Sequence, residues 1–338
     1  MSTRYGIAVG GALDAVGTAA RLAEDAGFDS VWVPETSRTA YVTAAVAAMR
    51  TSRVRIGTGI ALAFPRSPVI TAMSARDLAE LSNGRFVLGL GTQVKRVNEL
   101  RYSTPFEHPA PKMRELIDVC RAVWAGFAGA PVNHEGRFYT VTMPPFPGAG
   151  APPAPIPIML AAVNHEMVAL CGERADGFLG HPFSSVRYLE EVAKPAIEEA
   201  ALRAGRKPND CEIVQSVIVS VADSKQQALV GAKMQIAFYG TTRTYAPVFE
   251  LHGYGAVVDP LRAAHARGDI KGMIDCITDE MADVYSVAGT PAEVKDKIRR
   301  YEGIADEIVL NAPWADPALA RTDDVFARIV ETFAPAGR

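Results

Sequence analysis

Val54-Arg55-Ile56-Gly57-Thr58-Gly59-Ile60 is an apolar run that closes on glycine, and Arg85-Phe86-Val87-Leu88-Gly89-Leu90-Gly91-Thr92 repeats the pattern further along the chain. Each run is short, rich in β-branched or apolar residues and preceded by a helix-like stretch, as a buried parallel strand is. The glycines fall at the carboxyl ends of the two runs. At that end of an α/β barrel a ligand meets the chain, and a residue without Cβ lets it approach the backbone closely. The pattern predicts an enzyme with a large cofactor held against main chain.

The same alternation extends in both directions. Tyr5-Gly6-Ile7-Ala8-Val9 reads as the first strand, followed by a helix over 14–27 with Ala15, Ala19, Leu22, Ala23 and Ala26 on one side and Gly27 as its stop. Phe28-Asp29-Ser30-Val31-Trp32-Val33-Pro34 is the second strand, and the runs above supply the third (54–60) and fourth (86–90). Further strands are expected at 156–160, 177–180, 212–221 and 307–310. Helices are expected at 39–49, 68–81, 111–124, 166–174, 185–204, 291–301 and 316–333. Eight strands with helices between them fit an α/β fold of the (β/α)8 TIM-barrel kind, with an open doubly wound sheet as the competitor. No linker divides the chain, so one domain over 1–338 is expected. Two insertions interrupt the rhythm. Residues 125–155 are rich in Gly and Pro and hold a hairpin around Glu135 to Val141, and residues 238–286 are mostly helical. Insertions of this length often serve as lids or partner surfaces.

Composition narrows the function classes. Lys and Arg number 35 against 38 Asp and Glu, a net charge of −3, so nothing recommends a nucleic-acid partner. No run is apolar and long enough to span a bilayer, and no secretory signal opens the chain, so a cytoplasmic protein without a membrane partner is expected. Cys120, Cys171, Cys211 and Cys276 lie far apart with no CxxC pair, which suits a reducing compartment and no metal site. The serines lack a G-x-S-x-G setting, and neither a P-loop nor a dinucleotide fingerprint is present.

Ala26-Gly27-Phe28-Asp29-Ser30-Val31-Trp32-Val33-Pro34-Glu35-Thr36, Ile56 to Ile60, Arg66-Ser67-Pro68, Leu81 to Phe86, Gly89 to Thr92 and Ala175-Asp176-Gly177 together resemble the bacterial luciferase-like superfamily. Phe249-Glu250-Leu251-His252-Gly253 and Ser286-Val287-Ala288-Gly289-Thr290-Pro291 are similar to its coenzyme F420 branch, in particular to methylene-tetrahydromethanopterin reductases. The resemblance implies a luciferase-like TIM barrel with a deazaflavin across its mouth, hydride transfer at C5 with a small-molecule substrate, and a homodimer. FMN is the alternative cofactor, with an FMN-dependent monooxygenase as the rival activity. A barrel that binds a deazaflavin or a lipid without chemistry is the other alternative.

Carried onto this chain, the resemblance points to Gly59, Ile60 and Ala61 as a bulge, often with a non-proline cis peptide, against one face of the cofactor. Gly91, Thr92, Ala161, Ala162, Val163 and Asn164 match further cofactor contacts, and Asn164 is also placed to cap the following helix. Glu35 and His181 sit at the carboxyl ends of strands two and six and are the candidates for proton handling. Glu35 has a second reading, an ion pair with Arg66 or Arg38. Lys95 and Arg96 are placed to meet an anionic cofactor tail at the rim. Thr36 and Ala8 stand where relatives often carry ionisable groups, so a mechanism built on those groups does not transfer. Trp32 is expected in the core.

Overall fold

The computed structural model describes residues 3–146, 148, 150–313 and 322–334. Its strands are β1 (Arg4–Ala8), β2 (Ser30–Val33), β3 (Arg55–Thr58), β4 (Ala61–Leu62), β5 (Phe86–Gly91), β6 (Val132–Glu135), β7 (Thr140–Met143), β8 (Ile158–Ala162), β9 (Gly177–Gly180), β10 (Glu212–Val221), β11 (Ser286–Gly289) and β12 (Glu307–Asn311). Eight of these close a parallel barrel in the order β1-β2-β3-β5-β8-β9-β10-β12, with β12 returning to β1. This is the expected (β/α)8 barrel, with every predicted strand present. Helices between successive strands bury their apolar faces on the outside of the sheet, in a core that includes Phe86, Phe178, Ile213 and Ile308.

Two strands depart from the expected pattern. The third run is broken after Thr58, and the chain resumes as β4, which pairs with the carboxyl half of β5. β11 lies at the end of the second insertion and pairs with the carboxyl half of β10, whose amino half pairs with β9 and β12 inside the barrel. The long strand β10 therefore leaves the barrel at its mouth and carries the insertion with it. The closing helix is described over Thr322–Phe333; its expected first turns, 316–321, lie outside the described residues.

The insertions occupy opposite ends. The first holds the antiparallel hairpin β6–β7 and precedes β8, so it belongs to the amino-terminal side of the barrel. Glu115 of the helix Pro109–Phe127 clamps it, accepting the N–H groups of Phe138 (3.0 Å) and Tyr139 (2.7 Å) and meeting His134 Nε2 at 3.1 Å. The second follows the carboxyl end of β10. Its helices Ala246–Glu250, Val258–Ala266, Ile270–Asp275 and Asp279–Tyr285 pack with Lys225–Gly240 around a separate apolar cluster that includes Phe183, Phe249, Leu261 and Tyr285.

At the foot of the barrel Arg4 and Arg55 both pair with Glu212 and Glu307. Arg55 lies 2.9 Å from Glu212 and 3.2 Å from the wholly buried Glu307. Glutamates at the starts of β10 and β12 face arginines at the starts of β1 and β3 and tie the closure together, a stabilising role usual for this face.

Candidate active site

The mouth is built where the strands end. The Gly59–Ile60 peptide is cis. Gly59 N–H donates to Val33 O at 2.8 Å and Glu35 N–H to Ile60 O at 3.1 Å, so β2 holds both sides of the bulge. A Cβ at position 91 would fall 2.0 Å from Ile60 Cδ1. Any side chain at position 91 would therefore displace the Ile60 side chain from where the bulge packs against β5.

Glu35 is almost wholly buried and bound on both oxygens. Arg66 pairs with it bidentately, and Leu62 N–H donates to its Oε2 at 2.8 Å. Arg66 also donates to Leu62 O and lies over the Tyr41 ring. Of the two roles read from the sequence, the ion pair with Arg66 is realised, and it fixes the segment that follows the bulge. A substrate proton would reach this carboxylate only after displacing Arg66. Arg38, the other candidate partner, donates to Gly11 O instead, and Arg101 donates to Thr36 O.

His181 follows β9 and stands against the insertion. Its ring stacks on Tyr245 (centroids 4.4 Å apart, 29°) and meets Tyr239 edge-on at 4.6 Å. Nδ1 accepts Phe183 N–H at 3.0 Å, which assigns the proton of the neutral ring to Nε2. Burial pushes the pKa down to about 3 against a weaker opposing effect of that hydrogen bond. The group is a neutral N–H donor at neutral pH, suited to polarising a carbonyl or similar acceptor, not a cationic acid.

The cofactor candidates lie at the carboxyl ends of β3, β5 and β8. Ala161 and Ile60 lie partly exposed above the barrel interior, beside Ala8. Ala61 and Ala162 are buried, and Val163 packs on the insertion cluster while its carbonyl accepts the Tyr188 hydroxyl at 2.7 Å. Asn164 is spent as the cap of the helix His165–Arg174, its Oδ1 accepting Met167 N–H at 3.0 Å. Thr92 O accepts from the wholly buried Asn98, and Lys95 is exposed beside Glu99.

Sequence reasoning missed Asn98 and Gln215. Gln215 Nε2 donates to His181 O at 3.1 Å and so fixes the backbone of that residue. Its signal was present: a lone amide within the apolar strand Glu212–Val221. Asn98 Oδ1 on the helix Lys95–Arg101, Gln215 Oε1 on β10 and Ser184 Oγ after β9 are among the buried side-chain atoms without a hydrogen-bond partner. Among the described residues no group of three or more His, Cys, Asp or Glu could hold a metal ion, and no helix is long and apolar enough to cross a membrane.

A family model described as luciferase-like monooxygenase matches residues 2–307. An uncharacterised protein of Mycobacterium tuberculosis is 39% identical over 290 residues, covering 84% of this chain and 85% of that protein. The 5,10-methylenetetrahydromethanopterin reductase of Archaeoglobus fulgidus is 32% identical over 292 residues, covering 82% and 83%. The solved coenzyme F420-dependent tetrahydromethanopterin reductase of Methanopyrus kandleri superposes with a TM-score of 0.81 at 22% identity, covering 98% of each chain.

Proposed function

The chain belongs to the luciferase-like monooxygenase family, and from that premise we propose that it is a coenzyme F420-dependent oxidoreductase acting on a small, uncharged organic substrate. The observation that carries the reading is the mouth itself: the backbone bulge after β3 is pinned by the Glu35–Arg66 pair, and the neutral donor His181 follows β9 at the same end of the barrel. The relatedness to a putative coenzyme F420-dependent oxidoreductase of Mycobacterium tuberculosis, 32% identical over 302 residues and covering 83% of this chain and 85% of that protein, supports the choice of deazaflavin. When bound, that cofactor supplies hydride exchange at C5. The protein supplies the rest. Ile60, Ala61, Gly91, Thr92, Ala161, Ala162 and Val163 would bed the ring, with Gly59 and Asn164 at its margins. His181 Nε2–H would bind the substrate's acceptor atom while Tyr239 and Tyr245 exclude water. Glu35 orients the bulge through Arg66 and Leu62.

The rival is an FMN-dependent monooxygenase, favoured by the name of the matching family model. Mixing the protein with reduced F420 under argon and a panel of carbonyl and conjugated acceptors tests the choice. Acceptor-dependent oxidation of the deazaflavin is expected; oxygen uptake with reduced FMN and none of the former would overturn it. We further propose a cytoplasmic homodimer. Val42 and Met49 on the helix Ala40–Arg50, with Ile70 and Met73 on the adjoining helix Pro68–Leu81, expose an apolar strip that a second copy would cover.

A further inference from the structure

Trp32 stands inside the barrel, where the reading above assigns it nothing. It is 3% exposed and packs with Val87, Met159, Leu179, Val214 and Val309, each from a different strand. Ala8, Ile60 and Ala161 rest on this group from the mouth side and are only partly buried. Two of those three belong to the candidate cofactor bed.

The indole is fixed at both ends. Nε1–H lies 2.8 Å from Ser30 Oγ and 2.8 Å from Glu307 Oε1, while Ser30 donates to the same carboxylate at 2.5 Å. Glu307 is in turn held by Arg4 and Arg55 at the foot of the barrel. The ring lies flat where a neighbouring strand has no side chain: a Cβ at Gly57 would sit 2.3 Å from Trp32 Cε3 and 2.4 Å from Cζ3. The indole also reaches the bulge, with the position a Cβ of Gly59 would take 3.5 Å from Trp32 Cβ and Cε3. One large rigid side chain therefore links the charged foot to the segment that meets the cofactor. An apolar filler such as leucine would occupy the volume without the polar anchor.

We propose that Trp32 is a positioning residue: anchored by Glu307, it sets the height of Ile60 and Ala161 and so the floor on which a tricyclic cofactor ring lies. The inference rests on the proposed cofactor reading but holds for a flavin as for a deazaflavin, because both rings would meet the same floor.

The test compares the wild type, Trp32→Phe and Phe178→Leu. Phe178 is equally buried but lies in the outer core between sheet and helices, so it serves as a control for lost packing. Kd values for F420 and FMN are measured for each by fluorescence titration, alongside Tm. Trp32→Phe is expected to weaken binding of whichever cofactor the wild type takes by about tenfold or more, because a floor displaced by a fraction of an ångström misplaces the ring. The control is expected to lose Tm with Kd unchanged.

A second readout leaves the site intact and does not depend on the variant folding. The chain has three tryptophans, which are replaced biosynthetically by 5-fluorotryptophan. The Trp32 fluorine resonance, assigned by its survival in Trp124→Phe and Trp314→Phe, is expected to shift saturably with added cofactor, while that of Trp124 stays put. A Trp32→Phe protein that binds like the wild type, or a Trp32 resonance that does not move at saturation, overturns the inference. Binding of FMN alone overturns the F420 reading and leaves the floor to be judged on FMN. Binding of neither cofactor overturns both.

Discussion

At the residue scale, Glu35 and His181 show how surroundings decide what a polar group can do. Glu35 spends both oxygens on Arg66 and Leu62 N–H in a nearly buried site. Glu35→Gln keeps the shape but leaves the Arg66 charge without its partner, and a loss of about 3 kcal/mol in chemical denaturation is expected. Cofactor affinity should fall with it, since the same pair holds the bulge; unchanged affinity would remove its positioning role. His181 carries a different signature. Its folded pKa of about 3 lies below the unfolded value, so the unfolded chain binds the extra proton as pH falls. Its contribution to stability is complete above about pH 6.5 and is lost progressively towards pH 3. The Tm of His181→Gln should therefore fall less steeply than wild type over that window. Its turnover should drop markedly at pH 7, where the wild-type ring is neutral; equal slopes and equal turnover would contradict the assignment. His181 was legible in the sequence because a histidine directly after a strand-ending glycine is conspicuous. Gln215 left the signal of a lone amide in an apolar strand, but its partner His181 and the Glu307 anchor of Trp32 are distant in the chain and could not be read locally. Asn98 was hidden in a short polar helix, although its partners Thr92 O and Val94 O are close in sequence.

At the element scale, the second insertion is fastened to the barrel by a clasp. Ser185 Oγ accepts Tyr188 N–H and shares a hydrogen bond with His252 Nε2 at 2.8 Å, and Arg187 donates to Leu251 O at 2.8 Å. The His252 pKa is lowered by burial first and by the Arg187 charge second. Tyr239 and Tyr245, which cover His181, sit on the segment held by this clasp. His252→Ala is expected to raise amide hydrogen exchange across 239–256 severalfold and to raise KM more than it lowers kcat. Unaltered exchange there would show the segment to be held by its apolar core alone. The barrel strands could be read from the sequence because each is an apolar run between turn signals. β4 and β11 could not: Ala61–Leu62 is two residues long, and Ser286–Gly289 is four small or apolar residues at the end of a helical stretch. Their pairing is decided by β5 and β10, which the local sequence does not reveal.

At the scale of the whole molecule, charge and chemistry are divided between the two ends of the barrel. The foot holds the Arg4, Arg55, Glu212 and Glu307 cluster, and the mouth holds the bulge and a neutral histidine. The apolar strip on the two outer helices is independent of both ends. Met49→Glu combined with Met73→Glu should move the protein from dimer to monomer in sedimentation equilibrium with little change in cofactor binding; a wild type that sediments as a monomer removes the proposed interface. The central claim, that the mouth receives a deazaflavin, is met most directly by titrating the purified apoprotein with F420 and with FMN at moderate salt. Saturable F420 binding at least about a hundredfold tighter than FMN is expected, a difference of roughly 2.7 kcal/mol. Tighter binding of FMN would contradict it.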